Sequence, residues 1–392
     1  MSHPASLPII VIGAGIGGLA AALAIARRGF DVQVVEQASE FKEIGAGVQF
    51  GPNAYKMIER LGLRDAINHL AVIPDDLIMM DSINSELVTR IPVGEEFHRR
   101  FKYPYSLVHR ADLHSVLLGA CNAQPRIQMS QACTMDQFED TGDAIRLSTI
   151  EGRNFEGAAL IGADGIWSKV RDVIVNDGAP RVSGHIAYRA VLPIEDVPEQ
   201  YRQNAMILWA GPKNHLVQYP LRGGKLFNLV AVFHSDKYVE GWNSTADPVE
   251  LKTRFAGTCE TVQALLSKIS TWRMWVLCDR EPVRHWSRGR STLLGDAAHP
   301  MLQYLAQGAC MAIEDGVALA DKMAELNSPL PEAFKEYEDA RYKRTGKCQL
   351  LARLYGEFYH AEGVRRELRN DMLRGRSTEQ SYDGLAWLYD GI

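Results

Sequence analysis

A short apolar run that ends in glycines sets the terms for the first part of this chain. Ile9-Ile10-Val11-Ile12 is uncharged and β-branched, and Gly13-Ala14-Gly15-Ile16-Gly17-Gly18 follows at once. Such a run reads as a buried parallel strand. The glycines permit a tight turn, a close approach of backbone to a pyrophosphate, and close packing of the next helix on the strand. Leu19 to Arg28 is rich in Ala and Leu and reads as that helix, with Gly29 as its C-terminal cap. The helix N-terminus turns free N–H groups toward phosphate. A second strand, Val32 to Val35, ends at Glu36, 23 positions after Gly13. An acid at that interval accepts from ribose hydroxyls. Strand, turn, helix, strand and acid in register predict a dinucleotide-binding unit rather than a glycine-rich helix start with no ligand.

Ala5 to Ala26 carries no charge and could pass for a membrane span or a signal peptide. Pro8 and the glycines interrupt it, and no basic segment precedes it. The expectation is therefore neither a targeting segment nor a transmembrane helix. Net charge is −5, from 43 basic and 48 acidic residues. That balance gives no electrostatic case for nucleic acid or an acidic membrane surface. The basic cluster from Arg365 to Arg376 reads as a solvated helix face. The six cysteines, at 121, 133, 259, 278, 310 and 348, form no C-x-x-C pair and have no metal-ligand spacing with histidines. No metal site is expected, and scattered single cysteines fit a reducing cytoplasm.

Two further motifs lie far downstream. Ala163-Asp164-Gly165 follows the apolar run Ala159-Leu160-Ile161-Gly162. Leu294-Gly295-Asp296-Ala297-Ala298-His299-Pro300 follows Ser291-Thr292-Leu293. Asp296 falls between a strand and a helix expected over 306–326, where a carboxylate can accept from a ribityl or ribose hydroxyl. The start of that helix, Gln307-Gly308-Ala309, can bring backbone N–H groups to a flavin ring or a phosphate. Alone, Asp296 would read as a helix cap and Asp164 as a turn residue. Together with the first motif they describe one flavin site. Arg110 is a further candidate to reach the flavin or its phosphates.

Between these motifs the pattern changes. Residues 53–70 read as a helix with Asn53 as N-cap and Gly62 as a break, and 112–120 as another helix. Asp140-Thr141-Gly142-Asp143 reads as a hairpin turn. From 181 to 285 strand-like runs dominate, at 185–192, 206–209, 215–219 and 226–233, with one helical segment at 248–269. Runs of strands suggest an antiparallel layer. Residues 331–373 read as long polar helices. The expected fold is α/β (α+β overall): a Rossmann-like FAD-binding domain formed discontinuously by 1–72, 106–180 and 286–345, an inserted sheet domain formed by 73–105 and 181–285, and a C-terminal helical segment at 346–392.

Over nearly its whole length the chain resembles the single-component FAD aromatic hydroxylases, the flavoprotein monooxygenases of the 4-hydroxybenzoate hydroxylase type. The resemblance rests on Gly13 to Gly18, Asp164-Gly165, Gly295 to Pro300, the loop from Gly45 to Asn53, and the run from Gln307 to Asp315. Within that family, 187–189, 215–224, 279–282 and 300–305 are most similar to 3-hydroxybenzoate 6-hydroxylases. Salicylate 1-hydroxylases share the Gly47-Val48-Gln49 loop type, and 6-hydroxynicotinate 3-monooxygenases share much of the Gln307 helix. The latter carry a His where this chain has Gln49.

The resemblance implies non-covalent FAD, reduction by NADH or NADPH, and transfer of OH, with its oxygen from O2, to an aromatic acid through a C4a-hydroperoxyflavin. It implies 3-hydroxybenzoate as substrate and gentisate as product, with salicylate 1-hydroxylation or 6-hydroxynicotinate 3-hydroxylation as the alternative, and suggests a homodimer. A single glycine-rich dinucleotide turn leaves the nicotinamide nucleotide without a domain of its own, so it binds transiently. Gly13, Gly15, Gly18, Glu36, Gly47, Val48, Arg110, Asp164, Asp296, Gln307, Gly308 and Ala309 are the expected FAD contacts.

On the strand 215–219, residues 215, 217 and 219 share one face. His215 and Tyr219 then lie about 13 Å apart at Cα, room for one aromatic acid. His215 is expected to help deprotonate the phenol, because imidazole titrates near working pH. Tyr219 is expected to orient the ring, and Gln303 to bond the phenol or carboxylate. Tyr188 and Arg189 read equally as pocket residues or as a cross-strand pair. His299 reads as support for the turn before Pro300, and Trp272, Trp275 and Trp286 as packing. The alternative from another class is a flavin-bearing sensor without catalysis.

Overall fold

The computed structural model describes residues 7–41, 46–235, 244–245, 247–269, 271–325 and 329–390. Two sheets organise the chain. The first has six strands in the order Ser287–Arg288, Ser291–Leu293, Ala159–Gly162, Ile9–Ile12, Val32–Val35, Ile127–Ser130. All neighbours are parallel except the edge pair Ser287–Arg288 with Ser291–Leu293. The strands Ile9–Ile12, Val32–Val35 and Ala159–Gly162 are buried at every position, as strands covered on both faces must be.

The register explains why three motifs so distant in sequence belong together. Ile12 pairs with Gly162, and Gly162 pairs with Leu293. Each strand therefore leaves the sheet at the same C-terminal edge. There the chain turns into Gly13, Asp164 and Asp296, and ligands of such sheets bind at that edge. The helices Ile16–Arg27 and Gly308–Glu325 pack against each other. Gly316 sets their approach, since a Cβ there would come within 2.7 Å of the Ala21 backbone nitrogen.

The second sheet has eight strands, in the order Ser244–Thr245, Arg273–Asp279, Arg181–Pro193, Leu226–His234, Asn214–Leu221, Ala205–Gly211, Asp76–Asp81, Leu87–Pro92. It is antiparallel except where Ala205–Gly211 runs parallel to Asp76–Asp81. That pair joins segments far apart in the chain, so no hairpin forces it antiparallel. One face buries Ile186, Tyr188, Leu216, Phe227, Leu229 and Phe233 with residues of the helices Pro248–Arg254 and Glu260–Ser267. The other face carries Ala187, Val217, Tyr219, Val230 and Val232.

Several local readings change. The expected helix over 248–269 is two helices, the first ending at the cap Phe255 and the second starting after Cys259. Asn53 is not an N-cap: the helix Pro52–Arg60 is capped by Gly51 and opens on proline, whose fixed φ suits a first turn. The helix expected from Ala306 begins at Gly308, because 303–305 form a 3₁₀ turn closed by Ala306 at φ 53°. Its expected end, Leu326, and the loop residue Gly45 lie outside the described residues. The basic cluster from Arg365 to Arg376 is not simply a solvated face. Arg369 is buried, with Nη1 donating to the Tyr359 carbonyl at 2.9 Å, and Arg366 pairs with the buried Asp81 at 2.7 Å. Among the described residues no helix is long and apolar enough to cross a membrane.

Candidate active site

A cavity of about 400 Å³ has the second sheet for its floor and the motif loops of the flavin-binding part for its roof, a volume suited to a small ligand. The floor is ruled by strand register. His215, Val232 and Ala187 form one row across three strands, and Val217, Val230 and Arg189 form the next. Tyr219 and Asn228 lie in the row beyond. Alternation places 215, 217 and 219 on the cavity side, while Leu216 joins the opposite core and the Gln218 side chain accepts from Trp209 Nε1 at 3.0 Å. Met206 and Leu208 add apolar wall.

Of the residues singled out from sequence, the cavity gathers His215, Tyr219, Gln303, Gly47, Val48, Arg110, Asp296, Gln307, Gly308 and Ala309. Gly13, Gly15, Gly18, Glu36 and Asp164 do not line it; they lie at or beside the C-terminal edge of the first sheet. Glu36 Oε2 accepts from the Ala14 N–H at 2.7 Å. Gly13 has φ +100°, and a Cβ there would clash with the Ala163 carbonyl. A Cβ on Gly18 would clash with the Gly13 carbonyl, whereas Gly15 faces open space. The Asp164 carboxylate accepts from Ser168 Oγ at 2.5 Å and from the Val170 N–H at 3.3 Å, holding the start of the helix Lys169–Ile174.

These features suit FAD. Gly15, open and at the N-cap of the helix Ile16–Arg27, makes a cradle for a diphosphate. Asp296 is exposed between the buried Gly295 and Ala297, beside the first residue of the helix Gly308–Glu325. A carboxylate in that position is a hydroxyl acceptor.

The flavin-side loop is braced from behind. Asn53 Nδ2 donates to Gln307 Oε1 at 2.9 Å and to Glu314 Oε1 at 2.6 Å. Arg341 bonds Glu314 and Asp315, each at 2.7 Å. Asp315 also accepts from the Gly295 N–H at 3.1 Å and meets His299 Nε2 at 2.5 Å. Burial works against the Asp315 charge, but His299 and Arg341 hold its carboxyl down to about 2. His299 therefore supports the turn, as read from sequence. Arg341→Leu would take one charge partner from each of two buried carboxylates, leaving Glu314 to Arg344 and Asp315 to His299, and a loss of about 1–3 kcal/mol of stability is expected by urea unfolding. Wild-type stability in that variant would contradict the bracing role.

Arg189, left open between two readings, lies on the cavity wall. Its guanidinium donates to Gln303 Oε1 and lies 5.2 Å from the Trp275 ring centre. Among the described residues no carboxylate pairs with it, and its buried Nε has no partner. Burial, and the nearby Arg110, push its pKa down to about 10, so it stays charged at neutral pH. The Tyr219 ring packs against Gly47, where any Cβ would collide with it. Burial raises the Tyr219 phenol, so it stays protonated. The Gly47 N–H donates to Asn228 Oδ1 at 3.0 Å, tying the flavin loop to the floor.

His215 is buried, and its Nδ1 lies 2.7 Å from His360 Nε2. Burial and the neighbouring His185 lower its pKa to about 3, so it is neutral but does not titrate near working pH as the sequence suggested, and it can take a proton only by handing one on. His185 is lowered to about 4 for the same reasons of burial and a second imidazole, His234. His360 and His234 also shift down through burial. These are folded-state pKa values below the unfolded value of 6.5. The unfolded chain then binds more protons, and stability must fall as pH drops below about 6.5, at about 1.4 kcal/mol per pH unit for one such group. Carboxylates held low, such as Asp315, lose their contribution only below about pH 4. A melting temperature unchanged between pH 7.5 and 5.5 would contradict this.

Sequence reasoning missed His360 and the bond from Arg189 to Gln303. A lone Arg two positions after Ala187 in an apolar strand was the available signal for the second. Nothing local marked the first.

Residues 6–348 match the family described as FAD binding domain. The chain is 46% identical over 388 residues to 3-hydroxybenzoate 6-hydroxylase of Polaromonas naphthalenivorans (strain CJ2), covering 99% of this chain and 96% of that one. It is 41% identical over 380 residues to 3-hydroxybenzoate 6-hydroxylase of Klebsiella oxytoca, covering 97% and 96%. The fold superposes on Klebsiella pneumoniae HpxO complexed with FAD and uric acid with a TM-score of 0.86, at 25% identity, covering 98% and 96%.

Proposed function

The chain belongs to the FAD-binding-domain family, and on that footing we propose that it is a flavin aromatic monooxygenase that converts 3-hydroxybenzoate to gentisate with NAD(P)H and O2. The observation that carries this reading is one cavity wall that sets a neutral base, His215, and a charged guanidinium, Arg189, in adjacent rows of an apolar sheet face opposite the flavin loop. A phenolic acid needs both groups. The two hydroxylases of 46% and 41% identity support the choice of substrate.

FAD, when bound, supplies reduction by the nicotinamide nucleotide and activation of O2. The chain supplies the rest. His215 uses Nδ1 toward His360, which leaves Nε2 to accept the phenol proton. Removing that proton makes the ring electron-rich at the positions ortho and para to the oxygen. Arg189 binds the carboxylate and holds Gln303, which hydrogen-bonds the substrate. Tyr219 donates its retained proton and fixes the tilt of the ring. Met206, Leu208, Val217 and Val230 exclude water from the reacting edge. With one glycine-rich turn already assigned to FAD, the nicotinamide nucleotide binds transiently, and NADH is the favoured donor.

The test is NADH oxidation in air by the FAD-loaded protein. 3-Hydroxybenzoate should stimulate it strongly, and salicylate and 6-hydroxynicotinate weakly. Equal rates with and without 3-hydroxybenzoate would contradict the assignment.

A further inference from the structure

Behind His215 stands a line of histidines that leads away from the cavity. His215 Nδ1 is 2.7 Å from His360 Nε2, and His360 Nδ1 is 3.0 Å from His234 Nε2. His215 and His360 are buried, and His234 is partly exposed. His185 stacks on His234 with ring centres 4.2 Å apart, and its Nδ1 bonds Tyr304 Oη at 2.6 Å. The backbone fixes the line. The Lys213 N–H donates to the His360 carbonyl at 3.0 Å, and the His234 N–H to the Lys213 carbonyl at 3.0 Å. His185, His234 and His360 bring ring nitrogens within 4.8 Å of one another. An ion there would have to break the bond between His234 and His360, so the arrangement suits a proton better than a metal.

Resting on the reading of His215 as the phenol's base, we infer that His360 and His234 carry the phenol's proton from His215 to solvent. The balance is simple. The phenol O–H bond breaks and its proton joins His215 Nε2. His215 passes the proton on Nδ1 to His360 Nε2. His360 passes the proton on Nδ1 to His234 Nε2, and His234 releases one proton to water. One proton enters and one leaves. Each ring ends neutral in its other tautomer, and the reverse passage returns a proton to the product.

Such a path meets a need of the site. A base enclosed by protein cannot trade protons with water directly, and a lasting imidazolium at His215 is disfavoured by its burial and by His185. The outer ring is set differently. His234 faces Glu357 and Glu362, which favour its charge, and Lys213 and Arg254, which oppose it. His360 faces the other three histidines and Arg369. The exit ring is the one with carboxylates beside it.

The experiment uses FAD-loaded wild type, His234→Ala and His360→Gln, turning over 3-hydroxybenzoate in dilute phosphate with imidazole added stepwise. Substrate affinity is read separately from the flavin spectrum. His234→Ala should bind substrate as wild type does, turn over at least about tenfold slower, and regain rate as imidazole rises. Wild type should not respond to imidazole. His360→Gln should be slow and regain little, because its gap is buried. A His234→Ala enzyme that runs at the wild-type rate, or is slow at every imidazole concentration, would overturn the path while leaving the function intact. A wild-type enzyme that neither binds nor hydroxylates the phenolic acid would overturn the functional reading, and the path with it.

Discussion

Replacing His215 with asparagine should lower kcat for 3-hydroxybenzoate by about 10²–10⁴-fold, the usual contribution of a positioned general base. FAD should stay bound, because His215 sits on the floor strand Asn214–Leu221, away from the glycine turn at 13–18. Asparagine keeps a polar group in the buried site and limits the packing cost. The decisive readout is the pH profile. A substrate phenol left without its base must ionise by itself, so residual activity should climb with pH toward the phenol's own pKa near 10. In wild type, a base lowered to about 3 is already neutral across the working range, so the acid limb should not fall at 6.5. A variant within threefold of wild type, or one with the wild-type profile, would remove His215 from the chemistry.

Replacing Arg189 with methionine should cost about 2–5 kcal/mol of substrate binding, thirtyfold or more in kcat/KM, because the carboxylate would be left in an apolar cavity without its charge partner. Most of the loss should fall on KM, since the carboxylate does not change during the reaction. The amide analogue 3-hydroxybenzamide discriminates a binding role from a structural one. Wild type should prefer the acid strongly, and Arg189→Met should lose that preference. Lysine should rescue only part, as it lacks the planar fork that bonds a carboxylate and Gln303 together. Were both enzymes to prefer the acid equally, the carboxylate would have to be held elsewhere.

What could be read from the sequence was what local chemistry writes. The strands Ile9–Ile12 and Val32–Val35 stand at the expected residues because buried parallel strands need uninterrupted apolar runs. Gly13 and Gly18 were legible because each fills a place where a Cβ would strike backbone. The side shared by 215, 217 and 219 followed from strand alternation alone. Contacts between distant segments were not legible. His360 reaches His215 from 145 positions away, and no pattern near either residue records it. Asp76–Asp81 pairs parallel with Ala205–Gly211, and its sequence Asp-Leu-Ile-Met-Met-Asp shows no alternation. Asn53 looked like a helix cap because its residue type favours that position; it is committed instead to Gln307 and Glu314.

Placement of a phenolic acid in this cavity for oxygen insertion by the flavin can be followed in one turnover. The most direct test is a single turnover mixture of FAD-loaded enzyme, NADH, 3-hydroxybenzoate and isotopically labelled O2, with the product identified by retention and mass. Gentisate carrying one labelled oxygen atom should form in proportion to the NADH consumed. NADH consumed with only hydrogen peroxide formed, or a dihydroxybenzoate other than gentisate, would contradict it.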